Sequence, residues 1–191
     1  MKKLFALLLA LVMVVGLFAA CGKDEGKKSS AGADGNDGGS KVKGEMFDAG
    51  NVQALAPKGW KAFPVMDPFA EVEGATDPNS LTIVKDAKTD LDLFANPYVR
   101  IDYYGIDKEM MGGLKEFYDN TEDLEPITVG GHTWEGFTTT DYGLMAVLTC
   151  VEGELEYQAS IYLEATTGSI TMEDADVLAI LESVASTETA Q

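Results

Sequence analysis

From Val52 to Leu163 the chain alternates apolar and polar residues at the two-residue period of half-buried strands, interrupted by Gly, Pro, Asn and Asp. Val52–Ala56 reads as a strand running into a Pro57-Lys58-Gly59-Trp60 turn, and Trp60–Val65 as the strand that follows. Leu81–Val84 is a short strand after the turn-rich Asp77-Pro78-Asn79-Ser80. Tyr98–Tyr104 is rich in aromatic and β-branched residues and predicts a strong strand. The pattern then lengthens: Asp107 caps a predicted helix with Met110, Met111, Leu114, Phe117 and Tyr118 on one face. Gly112-Gly113 weakens it by about 1 kcal/mol per glycine, so packing must hold it.

Leu124–Val129 and Trp134–Thr140 flank Gly130-Gly131 and predict a hairpin. Leu144–Val151 and Leu155–Leu163 predict another, turning at Glu152-Gly153. In the last strand Leu155, Tyr157, Ala159, Ile161 and Leu163 share one face, opposite Glu156, Gln158 and Ser160. Thr171 and Asp174 have capping-box spacing ahead of Val177, Ile180, Leu181 and Val184, the inward stripe of a closing helix. Tight turns between successive strands predict a largely antiparallel sheet, and helices on its flanks make the fold class α+β.

The N-terminus follows another pattern. Lys2 and Lys3 precede an apolar run from Leu4 to Val15, and small residues come before Cys21. This resembles the signal peptide and lipobox of a bacterial lipoprotein, although Phe18 stands where that family usually has Leu. The resemblance implies removal of residues 1–20 and lipidation of Cys21 with palmitate-type acyl chains. An uncleaved apolar anchor is the alternative, and both readings place the rest of the chain on the extracytoplasmic face of the cell membrane. Residues 21–43 are Gly/Ser-rich, without aromatics, and predict a disordered tether with an r.m.s. reach of about 25 Å. Residues 44–187 have the composition and length of one globular domain, and 188–191 predict a disordered tail.

Charge narrows the partners. Without Lys2 and Lys3, 12 basic residues face 32 acidic ones, a mature net charge of −20. Lys115 is the last basic residue, and 116–191 hold 16 Asp or Glu. Such a surface repels phosphate backbones and anionic lipid heads, which excludes nucleic acid and leaves the lipid as the membrane attachment. With Cys21 lipidated, Cys150 is the one remaining thiol, so no intramolecular disulfide is expected. Cys150 sits in an apolar run, Leu144–Val151, and reads as a small hydrophobe in a strand covered on both sides.

The Pro57-Lys58-Gly59-Trp60 turn, the meandering strands, the middle helix, the Gly-Gly hairpin opening with Trp134-Glu135-Gly136-Phe137 and the closing helix with Ile180-Leu181-Glu182-Ser183 resemble the Mog1/PsbP-like fold. That resemblance implies an α/β/α sandwich over roughly Val52 to Val184 and a binding or assembly role. It implies no catalytic residue.

Candidate chemistry is sparse. His132, the only histidine, follows Gly131 and reads as a surface turn residue without an identifiable carboxylate partner. No HxxxH, CxxC, phosphate-loop or GxSxG pattern occurs, so no metal, cofactor or catalytic set is nominated. Asp90/Asp92 reads as the solvent side of an edge segment, and Glu173/Asp174/Asp176 as helix-terminal acids. Arg100, the only arginine, shares a strand face with Tyr98, Asp102 and Tyr104. It predicts either a structural ion pair with Asp102 or an anion anchor in an aromatic-lined pocket. These features favour a lipid-anchored, non-catalytic binding or assembly module with a protein or small-molecule ligand; the alternative is an envelope hydrolase or carbohydrate-acting enzyme using carboxylates.

Overall fold

Period-two patterning needs a sheet with one face on a core, and the computed structural model, which describes residues 42–105 and 115–188, supplies two such sheets. β1 (Gly44–Asp48) and β2 (Val52–Pro57) form a hairpin, which the sequence pattern did not show for β1. β3 (Trp60–Met66), β4 (Thr76–Lys85) and β5 (Tyr98–Tyr104) follow. β6 (Thr121–Val129), β7 (His132–Thr139), β8 (Met145–Glu152) and β9 (Leu155–Tyr162) complete the main sheet. Short β10 (Glu164–Ala165) and β11 (Gly168–Ser169) pair with each other. α1 (Ala175–Ser183) then leads into β12 (Ala185–Ser186).

The main sheet has seven strands in the order β3-β4-β5-β9-β8-β7-β6, and every pairing is antiparallel. A smaller sheet, β1-β2-β12, is also antiparallel. One core joins Val52 and Ala54 of β2, Val177, Ile180 and Leu181 of α1, and the residues of the main sheet that alternate toward them: Ile83, Ile101, Trp134, Leu148 and Ile161. The molecule is therefore sheet-dominated, with a single α-helix among the described residues. Among these residues no helix is long and apolar enough to cross a membrane.

Several expectations change in detail. Asp77-Pro78-Asn79-Ser80 lies inside β4 rather than before it, because its turn is absorbed as a bulge. The β3–β4 register jumps between Pro64 and Val65, and the Asp77 carboxylate takes the Asn79 N–H at 2.9 Å. Pro64 is tolerated because β3 is an edge strand. The other edge, β6, is blunted by Pro126, a register shift and exposed Glu122, Asp123 and Glu125. The second hairpin turns at Gly153-Glu154, one residue later than expected, since Glu152 still pairs with Leu155.

Thr171 and Asp174 do bond, through the Thr171 N–H at 3.1 Å and hydroxyl at 3.3 Å, but they form the turn before α1; Asp174 is its N-cap. Asp90–Phe94 is a 3-10 turn rather than an extended edge, and Asp92 Oδ2 accepts the N–H groups of Lys88 at 2.7 Å and Thr89 at 2.9 Å. Of the predicted middle helix, Asp107 to Leu114 lies outside the described residues. Lys115–Phe117 forms a 3-10 turn, with Phe117 exposed and Tyr118 against Phe137. Cys21, the signal region, the tether through residue 41 and residues 189–191 are outside too. Glu188, assigned to the tail, accepts the Tyr103 hydroxyl at 2.8 Å.

Candidate functional site

The face of the main sheet away from α1 carries the residues that alternate with the core, and strand register sets them in rows. Arg100 on β5 lies opposite Thr82 of β4 and Ser160 of β9; Asp102 lies opposite Ser80 and Gln158; Tyr98 lies opposite Tyr162. Tyr98, Arg100, Asp102 and Tyr104 thus share one face, and with Gln158, Ser160 and Tyr162 they line a cleft of about 280 Å³. A neighbouring hollow of about 190 Å³ shares Tyr98 and Arg100 and extends to Phe63, Met66 and Leu93.

Asp102 grips Arg100 from the side. Arg100 Nε donates at 3.0 Å to Oδ1 and 2.9 Å to Oδ2, Nη2 donates at 2.8 Å to Oδ1, and the Ser80 hydroxyl adds a 2.6 Å bond to Oδ1. Among the described residues Nη1 makes no hydrogen bond, and the Arg100 side chain is 42% exposed against 13% for Asp102. Desolvation works against the Arg100 cation, but the Asp102 bonds and charge outweigh it, and its pKa is raised.

The tyrosines form the walls. Tyr98 and Tyr162 stack with ring centroids 4.2 Å apart. Burial pushes the Tyr98 hydroxyl far up, helped by a hydrogen bond to Tyr162. Tyr104 is pushed up to about 12 by burial and by the Asp102 charge. Gln158, 6% exposed, donates Nε2 to Ser160 Oγ at 3.3 Å while its Oε1 has no partner among the described residues. The cleft therefore offers a fixed cation with a spare donor and a buried acceptor one row away. A buried amide oxygen without a partner is uncommon in proteins and marks a place where a donor is missing. Gln158 was legible as a polar strand residue, but its place beside Asp102 depends on β5–β9 pairing.

The carboxylate groupings are accounted for locally. Asp92 caps its turn, and Asp176, in the first turn of α1, accepts Trp60 Nε1 at 2.9 Å. A larger hollow of about 560 Å³ lies where β1, β2 and β3 meet, lined by Lys43, Glu45, Met46, Lys58, Trp60 and Lys61 among others.

His132 departs from its expectation. It is not a free turn residue: its side chain is 13% exposed, and Nδ1 bonds Oε1 of Glu152, at the end of the facing strand. Cys150, buried as expected at 1% exposure, lies two residues before Glu152 on the same face. Its Sγ is 4.0 Å from Glu152 Oε1. Sequence spacing hid this group because it depends on β7–β8 register.

No family model matches the chain, and no curated protein does. Among solved structures, a crystal structure from Bacteroides thetaiotaomicron VPI-5482 at 1.50 Å resolution is similar over 76% of this chain, with 13% identity and a TM-score of 0.42. The chain spans about half of that neighbour, 49% of its length.

Proposed function

We propose that the domain is a non-catalytic binding or assembly module, held on the extracytoplasmic face of the cell membrane by a lipid on Cys21, and that the Arg100 cleft holds an anionic group of its ligand. The observation that carries this reading is the pairing of a clamped Arg100, with Nη1 uncommitted, and the unpartnered Gln158 Oε1 in one tyrosine-walled cleft. A ligand that satisfies both has a carboxylate for the guanidinium and a nearby hydroxyl or N–H for the amide oxygen. The ring faces favour apolar carbon between them. A hydroxy acid, an amino acid or a carboxylated sugar has that chemistry; so does an acidic side chain of a partner protein.

A thermal-shift screen of small carboxylates tests it. One or more should raise the melting temperature of the parent, and Arg100→Lys, which keeps the charge but loses the planar fork, should lose most of that response. Failure of every carboxylate to stabilise the parent, or an equal response from the variant, removes the cleft as the binding site.

The anchor rests on the basic start, apolar run and small residues before Cys21. Cys21→Ser should abolish incorporation of labelled palmitate and leave unprocessed precursor; persistence of label would overturn it. The finer fold reading, an α/β/α sandwich of Mog1/PsbP type, belongs to the same proposal. It is supported by the strand order and closing helix, and backbone chemical shifts over residues 107–114 test it.

A further inference from the structure

On the core face of the sheet, at the rim where the β6–β7 and β8–β9 turns lie, three different donors converge. The β7–β8 register pairs Glu135 with Thr149, and its continuation sets Trp134 beside Cys150 and His132 beside Glu152. Because side chains two apart on a strand point the same way, an imidazole nitrogen, a thiol sulfur and a carboxylate oxygen meet there. These ligand atoms all lie within 4.8 Å of one another.

We propose that His132, Cys150 and Glu152 form a binding site for a divalent transition-metal ion of the zinc class, with the fourth position open to water. Imidazole, thiolate and carboxylate are the three side-chain ligands zinc takes, and three protein ligands plus water is its usual open arrangement. Tetrahedral bonds of about 2.0–2.3 Å place such ligands roughly 3.4–3.7 Å apart; the Cys150 sulfur, 4.0 Å from Glu152 Oε1, is near that spacing, while the bonded His132–Glu152 pair opens to admit the ion. Hard cations are disfavoured, since calcium and magnesium take oxygen ligands.

Charge supports the same occupant. A dipositive ion with one thiolate, one carboxylate and a neutral imidazole is a net-neutral group, which a nearly buried site tolerates better than an uncompensated charge. Without the ion, His132 Nδ1 bonds Glu152 Oε1, and Cys150 Sγ lies 4.0 Å from the same carboxylate oxygen. An ion at this point takes the carboxylate, the imidazole and the Cys150 thiolate together. Binding displaces the Cys150 S–H proton to solvent, together with the imidazolium proton where His132 carries one.

The surroundings suit a metal more than a nucleophile. Cys150 is 1% exposed, too enclosed to attack a substrate, whereas the Glu152 side chain at 37% exposure gives an ion a way in. Trp134, its ring centroid 6.3 Å from that of His132, is fully buried with an Nε1–H that has no acceptor among the described residues. The site is on the opposite face of the sheet from Arg100, so it stands or falls separately from the carboxylate-binding reading.

Cobalt(II) is the probe. The full chain in detergent, titrated with Co²⁺, should saturate at one equivalent with a thiolate-to-cobalt charge-transfer band in the near-ultraviolet, and Zn²⁺ should displace it. Cys150→Ser should abolish the band while Cys21→Ser keeps it, which assigns the sulfur ligand to Cys150. Glu152→Gln and His132→Gln, at less enclosed positions, should fold and weaken Co²⁺ binding at least tenfold; they decide the matter if Cys150→Ser does not fold. No saturable binding, a band that survives Cys150→Ser, or unchanged affinity in both other variants would overturn the site.

Discussion

Replacing Arg100 with Met removes the one cation that pairs, among the described residues, with a carboxylate that is itself 13% exposed. Asp102 then keeps one bond, from the Ser80 hydroxyl at 2.6 Å, and loses three N–H contacts. Stranding a fully buried charge in this way costs about 3–5 kcal/mol. Here the arginine is 42% exposed, so water enters the space it leaves and the expected cost falls to about 2 kcal/mol. For a domain of this size that lowers the melting temperature by roughly 6–8 °C. The double variant Arg100→Met, Asp102→Leu strands nothing: Ser80 Oγ has a fallback acceptor in Asp77 Oδ2 at 3.4 Å, and two apolar side chains fill the row between Tyr98 and Tyr104. It should recover to within about 1 kcal/mol of the parent, a coupling of about 1–2 kcal/mol between the two positions. Urea denaturation followed by far-ultraviolet circular dichroism, with unchanged m-values, measures all four corners of the cycle. A single variant as stable as the parent, or a double variant that loses the sum of the two single costs, would refute the reasoning that this pair is held by mutual charge compensation.

Ile180→Ala, at a fully buried position of α1, should cost about 3 kcal/mol in the same assay, since the main sheet cannot follow the lost side chain. Gly136→Ala places a Cβ against the Val147 carbonyl across β7–β8 and should cost roughly 2–3 kcal/mol or prevent folding; a neutral result would show that the two strands separate easily. Tyr98 and Tyr104 have folded pKa values raised above the ordinary tyrosine value of about 10, so the unfolded chain ionises first. Their contribution is complete below pH 10 and lost as pH rises toward the folded values, about 12 for Tyr104; ultraviolet titration should find both rings protonated after the exposed tyrosines have ionised. Asp92 and Asp141 have folded values lowered below 3.8 by backbone N–H bonds. Their contribution is present above that pH and lost on acidification, and Asp141→Asn should flatten the acid limb of the stability profile.

Local pattern was enough for whatever depends on neighbours in sequence. Strand period placed Tyr98, Arg100, Asp102 and Tyr104 on one face, because side chains alternate whatever the strand pairs with. The Gly130-Gly131 turn was legible because both residues sit at positive φ, +58° and +92°, which other residues rarely adopt. The inward stripe Val177, Ile180, Leu181 and Val184 follows from helical spacing alone, and all four are buried. Tertiary structure decided what depends on which strands meet. Turn residues at Asp77-Pro78-Asn79-Ser80 signalled a break, yet pairing with β3 and β5 carried the strand through as a bulge. Gln158 stands beside Asp102, and His132 beside Glu152 and Cys150, because antiparallel register brings together residues 56, 20 and 18 positions apart, respectively, in sequence. Sequence sets which way a strand residue points; the register of its neighbours, fixed by burying one common core, sets what it touches.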